Sequence, residues 1–135
     1  MGSFSNRELS TLFLRYALAA SFLSSVAARF GIWGSGWRTF ENFLVYTAKL
    51  LPFVSARFVP FFGWAATILE FAFGLLLIAG FRLRETGIAS GVLLILFALG
   101  MTLGFGIKEP LDYSVFTAAA GSFLLAAIQT PTRVN

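Results

Sequence analysis

Glu70 is the single carboxylate in the apolar run FVPFFGWAATILEFAFGLLLIAGF (58–81), and Arg15 is the single cation in LSTLFLRYALAASFLSSVAA (9–28). About 20 apolar residues are enough to cross the hydrocarbon core of a bilayer, so both charges fall at depths where water is scarce. A charge there costs at least about 2.5–3.5 kcal/mol and is expected to face protein. Gly63, Thr67, Glu70 and Gly74 follow one another at i+4, i+3 and i+4 and place the carboxylate on a helix face of small residues. Counted from the side carrying the termini, Arg15 lies about six residues in and Glu70 about ten. That is about 6 Å at 1.5 Å per residue, within reach of an arginine side chain. An Arg15–Glu70 ion pair inside the bundle is therefore expected. It would either fix helix register or serve a ligand, by anchoring a polar headgroup or relaying protons. A second group, Arg57, Lys108, Glu109 and Asp112 with Tyr113, is expected at the opposite surface. It would bind an anionic substrate or a partner, or simply be solvated. Trp64 and Tyr16 would line a quinone-sized cleft or belong to ordinary packing. No metal-ligand spacing, phosphate-binding glycine loop or nucleophile–base arrangement occurs, so no catalytic residue is assigned and no metal is expected.

The composition narrows the chemistry further. Of 135 residues, 58% are hydrophobic and 12% charged, against about 45–50% and 25% in ordinary soluble domains. This is the composition of a membrane protein. The chain has no cysteine and no histidine, which removes disulfides, thiolate and iron–sulfur chemistry, the usual haem and metal ligand and the usual general base. It is not expected to be catalytic by itself. It carries no intrinsic cofactor, so any redox role falls to a bound molecule, such as a quinone, or to a partner subunit. The net charge of +4, without a basic stripe, suits loops facing lipid headgroups and not a nucleic acid.

These residues must be held by helices. The expected fold is all-α, one membrane domain over residues 1–135, with four transmembrane helices at about 9–29, 58–81, 86–107 and 111–129. Met1-Gly2 opens like a myristoylation signal, but Asn6 stands where Ser or Thr is wanted. Ser25-Val26-Ala27 resembles a signal-peptidase site, yet Arg15 interrupts the apolar stretch, so a retained helix is expected. Between the first two spans, Trp37, Phe40, Leu44 and Leu51 keep helical spacing. A short amphipathic interfacial helix, with Trp33 and Trp37 as belt residues, or an ordered capping loop are the two readings. Pro52 ends any such helix and Pro60 suits the first turn of the next. Gly87/Gly91 and Gly100/Gly104 are small-xxx-small pairs that allow close helix approach, and Gly104-Phe105-Gly106 should fray. Ser114, Ala118, Ser122 and Ala126 form a stripe expected to pack inward. Four spans put both termini on one side, with Arg7, Arg82, Arg84 and Arg133. Arg29, Arg38, Lys49, Arg57 and Lys108 lie on the other. The counts nearly balance, and the two arginines of the tight 82–85 turn favour cytoplasmic termini in a bacterial inner membrane.

Leu14-Arg15-Tyr16-Ala17-Leu18, the run Leu69-Glu70-Phe71-Ala72-Phe73-Gly74-Leu75-Leu76-Leu77-Ile78-Ala79-Gly80-Phe81-Arg82, and Pro110-Leu111-Asp112-Tyr113 together resemble the DoxX family of small four-helix integral membrane proteins. The resemblance runs from about Leu12 to Ile128. It implies a four-helix membrane bundle and, for some members, association with a thiosulfate:quinone oxidoreductase. Arg15 and Glu70 match the family's intramembrane arginine and glutamate. Without cysteine or histidine, sulfur chemistry by this chain alone is not implied. Three functions follow as expectations: an accessory or quinone-binding subunit of a membrane oxidoreductase complex, a small dimeric proton-coupled transporter using Glu70, or a non-catalytic scaffold. The expected partners are the lipid bilayer and either other membrane or soluble subunits or further copies of the chain.

Overall fold

The computed structural model of the protein describes residues 3–34 and 40–129, and what is described is helical with short turns. Helix α1 spans Asn6–Arg29, α2 Phe40–Leu50, α3 Val59–Ala79, α4 Leu83–Phe105, α5 Lys108–Asp112 and α6 Val115–Ile128, with a 3-10 turn at Ala56–Phe58 leading into α3. Three segments, Asn6–Arg29, Ala56–Ala79 and Leu83–Phe105, are long and apolar enough to cross a membrane.

The helix ends follow local chemistry. The first helix begins three residues before the expected Leu9 because Ser5 and Glu8 form a capping box. The Ser5 hydroxyl accepts from Glu8 N at 3.2 Å, and Ser5 N donates to the Glu8 carboxylate at 2.7 Å. Pro60 occupies the first turn of α3, where its missing N–H is harmless. That helix ends at Gly80, whose φ of 72° is left-handed and whose N–H donates to Leu76 O at 2.9 Å. Helix α4 starts at Leu83 and not Thr86, and it stops at Gly106, where the fraying was expected. The fourth apolar helix is shorter than the expected 111–129 span. Leu111 belongs to α5, the chain turns through Ser114 at φ 55°, and α6 has 14 residues. At 1.5 Å per residue α6 is about 21 Å long, less than the roughly 30 Å hydrocarbon core.

Packing divides the helices into two pairs, α1 on α3 and α4 on α6, with α2 lying across α3 and α4. Leu18, Ala19 and Phe22 of α1, Phe73 and Leu77 of α3, Leu93 of α4 and Leu125 of α6 form the core between the pairs. Small residues set the close contacts. A Cβ on Gly87 would stand 2.7 Å from the Ser122 carbonyl oxygen, and one on Gly74 would stand 2.7 Å from Leu23 Cδ2. Gly100 and Gly104 do not meet another long helix. They admit the C-terminal end of α2, at Leu50 and at the Lys49 carbonyl. Of the α6 stripe, Ser122 and Ala126 are buried and Ala118 half-buried, whereas Ser114 is an exposed helix-capping residue. Of the two readings for this segment the helix is the one seen over Phe40–Leu50, although Leu51 falls outside it. Thr47 is buried, Phe43, Leu44 and Tyr46 are half-buried, and Glu41, Val45 and Lys49 face out. Trp37, Arg38 and Arg133 lie outside the described residues, and Trp33 is exposed.

Candidate functional site

The small-residue face of α3 is buried as its spacing requires: Gly63, Thr67, Glu70 and Gly74 all lie inside the protein. What meets Glu70 is Arg29. Arg29 Nη1 forms an ion pair with Glu70 Oε2, with the two side chains 11% and 5% exposed. The same Nη1 donates to Thr67 Oγ1 at 3.1 Å, and Thr67 in turn donates to Gly63 O at 2.8 Å. The guanidinium carbon stands 3.7 Å from the centre of the Phe43 ring, a cation–π contact with no water between. Carboxylate, hydroxyl and aromatic face together replace the water that a buried guanidinium would lose.

Arg15 does not reach Glu70. Its Nε donates to Leu77 O and its Nη2 to Ile78 O, both at 3.0 Å, which supplies donors to carbonyls in the last turn of α3. A cation there also suits the negative end of the helix dipole. The guanidinium lies so close over Gly80 that an added Cβ would meet Nη2 at 2.6 Å. Arg7 does the same for α6, donating from Nη2 to Ile128 O at 2.7 Å.

The reason is register. Arg15, Leu18, Phe22, Val26 and Arg29 follow at i+3, i+4, i+4 and i+3, so one stripe of α1 carries an arginine at each end and apolar residues between. Arg15 meets residues 77 and 78 of the antiparallel α3. Phe22 packs on Phe73 and Leu23 on Gly74, so six to seven residues further along α1 Arg29 stands level with about residues 66–68 of α3, beside Thr67 and Glu70. By the same register Arg15 stands level with about residues 80–82 and reaches back to Leu77 and Ile78, about 16 Å from the level of Glu70. Depth counting from the expected span ends cannot see this, because the ends do not fix how far α1 slides along α3. The missed signal was the i+3/i+4 stripe, which gives Arg29 the same face as Arg15.

The pair forms part of the wall of a cavity of about 790 Å³ bounded by α1, α2, α3, α4 and the start of α6. Its lining is largely apolar, with Phe22, Phe43, Tyr46, Phe53, Phe62, Phe97 and Tyr113 among the rings and Ser21, Ser25, Thr47, Arg29 and Glu70 among the polar residues; Tyr113, expected with the second cluster, lines this cavity instead. Trp64 and Tyr16 are not among the lining residues. Trp64 packs on Phe40, with ring centroids 4.3 Å apart, and Tyr16 lies under Arg15, 5.5 Å from the guanidinium carbon. Among the described residues, Glu70 and Thr67 both engage Nη1, and no hydrogen-bond acceptor engages Nε or Nη2 of Arg29. A guanidinium has five N–H donors, so Arg29 keeps donors for an oxygen placed in the cavity. With the Glu70 carboxylate beside it the pair is neutral overall, and the site suits an uncharged head with carbonyl or hydroxyl oxygens.

The second expected cluster is not assembled. Lys108 and Asp112 form an ion pair at i,i+4 on α5 with both side chains largely exposed. The Asp112 carboxylate raises the Lys108 ammonium pKa, by hydrogen bond first and charge second. Arg57 sits on the 3-10 turn with its guanidinium 5.3 Å from the Phe58 ring centre. Among the described residues no ion pair joins it to Glu109 or Asp112, and no group of acidic or metal-binding side chains could hold a metal ion. Comparison with protein-family models, with curated proteins and with solved structures gave no match.

Proposed function

We propose that the chain is a DoxX-like, four-span integral membrane protein that binds a quinone-type ligand in its central cavity, as an accessory subunit of a membrane oxidoreductase complex. In this reading α6 completes the bundle as a short fourth span and the termini face the cytoplasm of a bacterial cell. The observation that carries the reading is a buried, charge-neutral Arg29–Glu70 pair in the wall of an otherwise apolar cavity of about 790 Å³. Ligand pockets run from about 300 to 1,000 Å³ and combine apolar walls with a few placed polar groups. A quinone fits the residues present. Arg29 Nε and Nη2 would donate to a ring carbonyl, and Phe22, Phe43 and Phe97 would bracket the ring and the start of its tail. When bound, a quinone supplies the electron acceptance for which the chain has no cysteine or histidine. Glu70 holds Arg29 in place, Thr67 fixes its Nη1, and the apolar lining excludes water. The electron donor would belong to a partner subunit. The transporter reading is weakened because a carrier carboxylate must exchange partners, whereas Glu70 is already engaged by Arg29.

Solvent extraction of the purified protein, with quinone measured by its ultraviolet absorption, tests the proposal. Near-stoichiometric quinone is expected, retained in Arg15→Gln and lost in the double variant Arg29→Gln/Glu70→Gln. No quinone in the unaltered protein, and none taken up when it is added, would overturn the reading and favour the scaffold.

A further inference from the structure

We infer that the cavity opens sideways between α3 and α4 and takes its occupant from the bilayer interior: a membrane-dissolved amphiphile whose hydrocarbon chain lies in that gap. This rests on the reading of α3 and α4 as spans, and it deepens the proposed ligand site without depending on the ligand's being a quinone.

The two helices are joined by the short Gly80–Arg82 turn, yet each packs more extensively on another partner, α3 on α1 and α4 on α6. The gap between them is bridged at the Arg29 end by α2. Leu44 of α2 seats on Gly63 of α3, and Leu50 seats on Gly100 of α4. Below that bridge, Leu69 of α3 and Leu96 of α4 line the cavity and are 41% and 59% exposed, and Phe62, Leu99 and Leu103 beside the bridge line it at 41% to 63% exposed. Side chains of the wall that stay this exposed mark a place where the cavity opens. Along this seam the rim is entirely aliphatic or aromatic, on the two most apolar of the three long helices, so hydrocarbon and not water wets it at membrane depth; Ser21 and Ser25 of α1 and Tyr113, which are also exposed, line other parts of the wall. The polar atoms of Arg29 and Glu70 lie in the cavity wall and not at this rim. An aliphatic mouth leading to an inner donor group matches a long-chain molecule with an oxygen-bearing head.

The native tryptophans offer a direct test, since Trp33, Trp37 and Trp64 can be replaced by phenylalanine and a reporter placed at Phe97→Trp or, independently, at Leu94→Trp. Both positions line the cavity and are half-buried. The protein is reconstituted in vesicles of phosphatidylcholine brominated at mid-chain, where bromine quenches indole on contact. Both reporters should lose as much emission as a lipid-facing control, Leu75→Trp, relative to unbrominated vesicles. Adding Ala66→Phe at the rim should restore the reporters' emission and leave the control quenched. Reporters quenched by aqueous iodide and not by bromine would show a water-filled cavity open to solvent and overturn the inference. Reporters protected from both would show a closed core and overturn it equally. Quinone extraction is independent of this readout: chain access without bound quinone leaves the lateral opening standing and removes only the quinone.

Discussion

Neutralising Glu70 separates the two arginines that could own it. The Glu70 and Arg29 side chains are 5% and 11% exposed, so removing either charge leaves the other buried, at about 3–5 kcal/mol. Glu70→Gln and Arg29→Gln should each destabilise by that amount. The double variant strands no charge, so its loss should be smaller than that of either single variant. The coupling is then at least about 3 kcal/mol, at the upper end of measured pairwise terms. Arg15→Gln removes two hydrogen bonds from a charged donor to Leu77 O and Ile78 O, an effect of about 1.5–3 kcal/mol. Because Arg15 contacts neither Glu70 nor Arg29, Arg15→Gln/Glu70→Gln should be additive to within about 0.5 kcal/mol. Reversible unfolding in mixed detergent micelles, followed by helical circular dichroism, gives all five free energies. Coupling of Glu70 to Arg15, or additivity with Arg29, would refute the assignment of partners.

Gly87→Ala should cost about 1–3 kcal/mol, as overpacking does, because the new methyl meets the Ser122 backbone carbonyl at 2.7 Å and backbone must move. Gly91→Ala meets only the Phe123 ring, which is itself 38% exposed and free to swing away, so it should cost clearly less in the same unfolding assay. Ser90 is fully buried, and its hydroxyl has no partner among the described residues. Ser90→Ala relieves a desolvation penalty of about 1–3 kcal/mol and should leave the melting temperature equal or higher; a marked fall would mean that the hydroxyl has a partner. At Lys108 the folded-state pKa is raised by Asp112. Any stabilisation from that pair is complete below the ordinary value of 10.5 and fades as pH rises through the raised one. Lys108→Ala should therefore leave the melting temperature unchanged at neutral pH within error, as expected for a solvated pair, and abolish whatever fall appears above pH 10.5.

Much of the helical framework could be read from the sequence because it depends on local chemistry. The small face of α3 came from i+3/i+4 spacing, and the end of α4 came from Gly106. The start of α6 did not, because Leu111 and Tyr113 are as apolar as a span requires. Ser114 breaks the helix through its backbone angle of φ 55°, which no hydrophobic pattern records. The aromatic lining of the cavity was equally hidden. Phe43, Phe53 and Phe97 come from three separate segments, and the sequence offers no reason to prefer them to Trp64 or Tyr16.

The sequence by itself determined that Glu70 needs a partner. A carboxylate in a long apolar helix is intolerably desolvated, and the neighbouring Gly63, Thr67 and Gly74 fix the face that must be buried. Only the tertiary structure decided which arginine answers it. Arg15 and Arg29 share one stripe of α1, and composition, hydropathy and spacing treat them alike. The choice depends on how far α1 slides along α3, which is set by side-chain packing such as Leu23 over Gly74. That register leaves Arg15 on the carbonyls ending α3 and turns Arg29 inward to Glu70. A shift of one helical turn, about 5.4 Å, would change both partners without altering a single residue.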